Sequence, residues 1–141
     1  MRVLVDTNVF LDYLMQREPW TVDSRRIFML AAEQKGEFFM AAKTAVDIHY
    51  LLKKSLHDET EVRRALEKLM KLFPPADTRG TDGLLALQSN LSDYEDAVLT
   101  ETALRIRADC IVTRNSRDFA GAPIKALTPQ QLLEHMSAGQ V

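Results

Sequence analysis

The stretch Val3-Leu4-Val5-Asp6-Thr7-Asn8 decides how this chain is read. Three consecutive aliphatic residues, two of them β-branched, are too short a run for a helix and suit a strand buried on both faces. A carboxylate follows at once. Thr7 and Asn8 are both N-cap types, so a helix is expected to begin at one of them and to carry Val9, Phe10, Tyr13 and Leu14. The same grammar returns far downstream, where the apolar Cys110-Ile111-Val112-Thr113 runs into Arg114-Asn115-Ser116-Arg117-Asp118.

Between these two segments, helical and extended patterns alternate. Pro19-Trp20 breaks the first helix, and residues 22–34 read as a second, with Ile27, Leu30 and Ala31 at helical spacing and Gly36 as its C-cap. Residues 37–41 read as a strand, and 43–55 and 57–72 as helices. Pro74-Pro75 leads to a short strand at 76–78, and residues 84–91 are helical by composition. Ser92-Asp93-Tyr94-Glu95 has capping-box spacing and opens a helix to about residue 107. Residues 124–127 suit an edge strand, and Thr128-Pro129 starts a last helix with an N-cap and Pro at N1. Alternating strands and helices predict an α/β fold: a three-layer α/β/α sandwich around a mostly parallel sheet of four to five strands. With no linker and no repeat, residues 1–141 read as one domain.

Composition narrows the class. The 141 residues are 46% hydrophobic, enough for a core without staples, and five Gly with five Pro exclude a collagen-like or low-complexity chain. Eighteen basic against twenty acidic residues give a net charge of −2, which excludes a polybasic arm as the main binding device. Cys110 is the sole cysteine, so no intramolecular disulfide forms; a reducing cytoplasm and an inert buried thiol are expected. Asp6 stands where a signal peptide needs its apolar stretch. The longest apolar run, Ile27 to Ala32, falls far short of the ~18 residues of a membrane span, so no membrane partner is expected.

The fold class says where chemistry should lie. In open α/β sheets, ligands bind beyond the carboxyl ends of the strands. Asp6 follows the first strand, and Asp118 lies in the segment after the strand at Cys110. Asp93 and Asp96 are three apart at a helix start, and Asp47 sits one turn into the helix after the second strand. Singly, each has an ordinary reading as a cap, a first-turn acid or an exposed helical residue. Together, aimed at one pocket, they repel one another, and oxygen-only ligands call for a hard divalent cation, Mg²⁺ or Mn²⁺.

The joint pattern resembles the PIN domain, a family of metal-dependent nucleases that includes the VapC-type ribonuclease toxins. Val3-Leu4-Val5-Asp6-Thr7-Asn8 looks like the family's opening strand and first metal-binding Asp. Thr44-Ala45-Val46-Asp47-Ile48 is similar to the segment of its second acid, and Asp93-Tyr94-Glu95-Asp96-Ala97 to that of its third, placed at Asp96. Ile111 to Phe119 looks like the closing motif, with its last acid at Asp118. The resemblance spans about residues 2–135. Two departures stand out: the second acid is usually Glu, whereas Asp47 is one methylene shorter, and Asn115 occupies a position where an acid would add charge.

The resemblance implies a Mg²⁺- or Mn²⁺-dependent endoribonuclease hydrolysing RNA phosphodiesters, in the manner of the toxin of a toxin–antitoxin pair. Asp6, Asp47, Asp96 and Asp118 would be catalytic. Asp6, Asp96 and Asp118 would hold the metal, with Asp47 and Asp93 assisting, and Thr7, Asn8, Thr113 and Asn115 would orient carboxylates, water or phosphate. An antitoxin protein and a second copy of the chain are the implied protein partners.

For substrate grip, Lys43, Asp47, Tyr50 and Lys54 share one helix face, and Arg114 and Arg117 flank Asn115, so Lys43, Lys54, Arg114 and Arg117 are candidate phosphate ligands. Arg63, Arg64, Lys68 and Lys71 read as an exposed basic face. His49, His57 and His135 lack ligand spacing and read as solvated helix positions. Two alternatives stay open. A catalytically weak PIN domain would bind RNA or protein without cutting, as the Asp at residue 47 allows. A metal-dependent phosphatase would want a second Asp two residues after Asp6, where Asn8 stands. The net charge does not exclude a nuclease: with five acids in one pocket, fifteen remain against eighteen bases.

Overall fold

Arg2–Val5 forms β1, the central strand, in the computed structural model of the chain, which describes residues 1–139. Val3, Leu4 and Val5 are wholly buried. The chain continues through α1 (Thr7–Leu14), α2 (Thr21–Ala32), β2 (Glu37–Ala41), α3 (Ala42–Leu56), α4 (Glu59–Leu72), β3 (Pro75–Ala76), α5 (Gly80–Ala86) and α6 (Tyr94–Arg105). It closes with β4 (Cys110–Val112), a 3₁₀ turn (Ser116–Phe119), β5 (Lys125–Leu127) and α7 (Pro129–Gly139).

Among the described residues, five strands make one parallel sheet in the order β3-β2-β1-β4-β5. Val3 stands opposite Phe38 on one side and Cys110 on the other. The chain thus builds outward from β1 through β2 and β3, then returns to the opposite flank with β4 and β5. This reversal opens a crevice at the carboxyl ends of β1 and β4, the place where α/β sheets bind ligands.

Side chains alternate between the faces of the sheet with period two. Val3, Val5, Phe38, Met40, Cys110 and Val112 join the larger core, together with Phe10, Ile27, Ile48, Val62, Leu69, Phe73 and Leu132 from the covering helices. Phe10, Phe28 and Phe73 meet edge-on there, with ring centroids 4.9–6.0 Å apart, a geometry that adds to the burial of each ring. Leu4, Ala41 and Ile111 face the other way, onto Leu99 and Ala103 of α6 and Phe119 of the 3₁₀ turn. The predicted three-layer α/β/α sandwich is the observed one; its sheet, expected to be mostly parallel with four to five strands, is all parallel with five among the described residues.

Several boundaries differ from the sequence expectation, each for a local reason. Asp6 caps α1, its Oδ1 accepting the Thr7 N–H at 2.8 Å, so the cap precedes Thr7 and Asn8. Gln34, at φ 55°, takes the left-handed position after α2. Gly36 answers a steric need instead: a Cβ there would stand 3.1 Å from the Phe38 ring and 3.2 Å from the Met1 carbonyl. β3 lies at Pro75–Ala76 rather than 76–78, on the sheet edge where a proline is tolerated. The helix expected at 84–91 is α5, at Gly80–Ala86; its anchor is the buried carboxylate of Asp82, while Leu84, Leu85 and Leu87 are exposed. Asp93 rather than Ser92 caps α6. Thr128 caps α7 as expected, in a reciprocal pair of hydrogen bonds with Gln131. Among the described residues, no helix is long and apolar enough to cross a membrane.

Candidate active site

The carboxyl ends of β1 and β4 are stitched together by a small polar network. Asp6 Oδ2 accepts the Thr113 hydroxyl at 2.8 Å and the Asn8 amide at 3.3 Å. Asn8 also donates to Thr113 Oγ1 at 3.2 Å and accepts the Arg114 N–H at 3.0 Å. The Asn115 N–H donates to Thr113 Oγ1 at 3.1 Å. Asp6 therefore sits at the N-terminus of α1, where the helix dipole favours negative charge, with its carboxylate orientation set by two neighbouring strand ends.

Three further segments bring acids to the same place. The first turn of α6 supplies Asp96 and Glu95, and its cap, Asp93, accepts the Glu95 N–H at 2.8 Å. The 3₁₀ turn supplies Asp118 and is held down by buried Phe119. α3 supplies Asp47. A cleft of about 420 Å³ runs between them, lined by Asp6, Asp47, Asp93, Glu95, Asp96 and Asp118, with Thr7, Asn8 and Asn115 among its polar groups. Among the described residues, only Arg17 and Lys43 bring positive charge to its walls.

The electrostatics follow from that crowding. Burial first, then the charges of Asp6, Asp93, Asp118 and Glu95, push Asp96 up to about 7. Burial also raises Asp6 above the usual carboxylate range, with Glu95 and Asp118 adding repulsion, while hydrogen bonds from Thr113 and Thr7 work in the opposite direction. Lys43 donates at 2.7 Å to both Asp47 and Glu95. Burial disfavours its charge, but these two bonds prevail and hold it above the usual lysine range.

The five acids expected from the sequence thus line one cleft, with Thr7, Asn8 and Asn115 beside them. Thr113 stands behind Asp6, fully buried. Of the four expected phosphate ligands, only Lys43 lines the cleft. Arg114 is a correction: its guanidinium forms a fork on Asp12, at 2.9 and 3.1 Å, and stacks 3.9 Å over the Trp20 ring. Asp12 is buried, and a buried carboxylate needs such a partner. Lys54 lies over the Tyr50 ring at 4.7 Å, and Arg117 is exposed on the 3₁₀ turn; neither lines the cleft. His49 is not simply solvated, since its Nε2 lies 2.8 Å from Glu59. Cys110 is buried, and its thiol is pushed up to about 11, chiefly by burial, as suits an inert core position.

Sequence reasoning missed Glu95, Arg17 and Asp12. The capping-box spacing ties Glu95 to a cap at Ser92; with the cap at Asp93 its side chain is free to meet Lys43. Asp12 carried a signal, being a charged residue between the apolar positions Phe10, Leu11, Tyr13 and Leu14.

The chemistry of the donor set suits the expected hard cation: six carboxylates supply only oxygen, and Asp6, Asp93, Asp96 and Asp118 have no cationic partner within 4 Å among the described residues. The same acids line a cleft rather than close a shell, for among the described residues no group of three or more Asp, Glu, His or Cys side chains is arranged to hold a metal as it stands.

Comparison with known proteins agrees with this architecture. The fold resembles a toxin–antitoxin complex from Klebsiella pneumoniae (23% identity, 90% of this chain and 97% of that one, TM-score 0.66). It also resembles VapBC2 from Rickettsia felis bound to a DNA fragment from its promoter (13%, 91% and 98%, TM-score 0.70) and DNA-bound VapBC from Salmonella typhimurium (18%, 92% and 98%, TM-score 0.68). No curated protein matches the sequence. The family model for the PIN domain matches residues 2–117, from β1 to the 3₁₀ turn. The chain belongs to the PIN domain family.

Proposed function

We propose that this chain is a Mg²⁺- or Mn²⁺-dependent endoribonuclease and the toxin of a toxin–antitoxin pair. The observation that carries this reading is the meeting of Asp6, Asp96 and Asp118, from three separate segments, in one cleft at the sheet's switch point. The resemblance to toxin–antitoxin structures supports the toxin role and an antitoxin protein as partner.

In this reading, Asp6, Asp96 and Asp118 would hold the cation, assisted by Asp93, while Asp47 is held by Lys43. The chemistry a divalent cation would supply there is a lowered pKa for water and charge neutralisation at the phosphoryl oxygens. The protein's own groups do the positioning. Thr113 and Asn8 fix the Asp6 carboxylate, Asp93 and the first turn of α6 present Asp96, and Phe119 seats the turn that carries Asp118. Asn115 and Arg17, which line the cleft, would contact phosphate in this reading.

A second reading, a PIN domain that binds RNA or protein without cutting, is favoured by one observation: Asp47 is engaged by Lys43. Incubating the purified protein with single-stranded RNA and Mn²⁺, with and without EDTA and alongside Asp6→Asn, separates the two. The nuclease reading expects cleavage with Mn²⁺ alone, and cleavage that survives EDTA or the substitution overturns it. Metal binding without cleavage of any RNA favours the binding module.

A further inference from the structure

Lys43 stands in the first turn of α3, and its Nζ donates at 2.7 Å to Asp47 Oδ2 and at 2.7 Å to Glu95 Oε1. Asp47 is one turn further along α3, whereas Glu95 belongs to α6, so the ammonium group bridges the two walls of the cleft. Its backbone N–H donates to Thr78 Oγ1 at 3.3 Å, just after β3, which pins the turn from which the side chain reaches. The bridge lies at the mouth: the side chains of Lys43, Asp47 and Glu95 are 38%, 36% and 66% exposed. Two of the six acids therefore already share one cation of the chain itself, while among the described residues Asp6, Asp93, Asp96 and Asp118 pair with none.

We propose that Lys43 is a tethered cation standing where a second divalent ion would sit, so that the cleft takes one ion on its inner acids instead of two. The inference deepens the metal-dependent reading and rests on it. Two-ion phosphodiesterase sites hold their ions about 3.5–4 Å apart on shared carboxylates. A second ion toward the mouth would compete for Asp47 and Glu95 with an ammonium group that already bridges them. Lysine suits the role because its charge is compact and its three N–H donors let it serve two carboxylates and still keep one for a phosphate oxygen. Asp47 pairs with Lys43 at i, i+4, so the shorter acid at residue 47 acts as the tether's anchor rather than as a metal ligand. Lys43 is a positioning residue for the charge of the site.

The test is ion stoichiometry, read apart from cleavage. The full chain is titrated with Mn²⁺ near neutral pH, free Mn²⁺ is followed by electron paramagnetic resonance, and calorimetry gives a second measure. Wild type and Lys43→Arg are expected to bind one ion. Lys43→Met should bind a second, weaker ion, and Lys43→Met combined with Glu95→Gln should lose it again, with circular dichroism confirming the fold of each variant. Two ions on wild type, or one ion on Lys43→Met at unchanged affinity, overturns the role of Lys43 and leaves the nuclease reading standing. Wild type that binds no Mn²⁺ overturns the metal-dependent reading and this inference with it.

Discussion

Asp82 and Asp96 belong to one helical pair, α5 and α6, and meet opposite electrostatic surroundings. Asp82 is only 2% exposed, and four donors surround it: Arg105 through Nε at 3.1 Å and Nη2 at 2.8 Å, the Thr102 hydroxyl at 2.9 Å and the Arg79 N–H at 3.0 Å. Burial pushes its carboxyl up, but these donors prevail and hold it below the ordinary range. The Asp96 carboxylate has no donor partner among the described residues; burial and four neighbouring carboxylates push it up to about 7. Where an acid holds the fold together, its partners are complete. Where it is left in a cleft among like charges, the fold carries an electrostatic cost that a ligand can relieve.

The comparison can be broken most directly at Asp82. Asp82→Ala leaves Arg105 without its buried partner, and urea unfolding should show a loss of about 3–5 kcal/mol; a loss typical of a surface pair would erase the distinction. A second buried pair extends it. Arg114→Met strands Asp12, 1% exposed, with only Arg17 at 3.9 Å, and should cost about 3 kcal/mol, accompanied by a change in Trp20 emission.

The effect at Asp96 has the opposite sign and is smaller. Its folded pKa lies above the unfolded value, so between the two the folded state holds a proton that the unfolded state has released. In EDTA, stability should therefore fall as pH rises from about 4 to about 7 and then level off. Asp96→Asn should flatten that slope in thermal melts across pH while abolishing stabilisation by Mn²⁺. An unchanged slope in the variant would move the unsatisfied charge elsewhere in the cleft. Smallest is the stability effect at Lys43: its ion pairs are half-exposed, so Lys43→Met should alter unfolding free energy by less than about 1 kcal/mol even where ion stoichiometry changes.

How far these features were legible in the sequence depends on whether a contact is local. β1, β4 and the acids following them could be read directly, because an apolar run ending in a carboxylate signals both the strand and the sheet end at which ligands collect. Asp93 and Asp96 were legible through helix-start spacing. Arg114 was misread as a phosphate ligand because its partner, Asp12, lies in α1, far away in the chain, and nothing near Arg114 announces it. Glu95 was hidden by a one-residue shift in the cap, which turned a capping side chain into a cleft acid. The Lys43–Glu95 bridge spans two helices, and no local pattern encodes it. α5 was displaced for the same reason: it is anchored by a polar group reaching Arg105 rather than by an apolar stripe.

The position of β1 between β2 and β4 also governs timing. A nascent chain emerging N-terminus first can pair β1 with β2 and lay helices over one face, but the opposite flank of β1 stays open until β4 has been made. Thr113, which orients Asp6, and Asp118, which lines the cleft, arrive only with β4 and the residues after it. On the ribonuclease reading, synthesis itself acts as a safety catch: the polypeptide has no complete cutting edge while most of it is still being made, and it gains one only as the sheet closes.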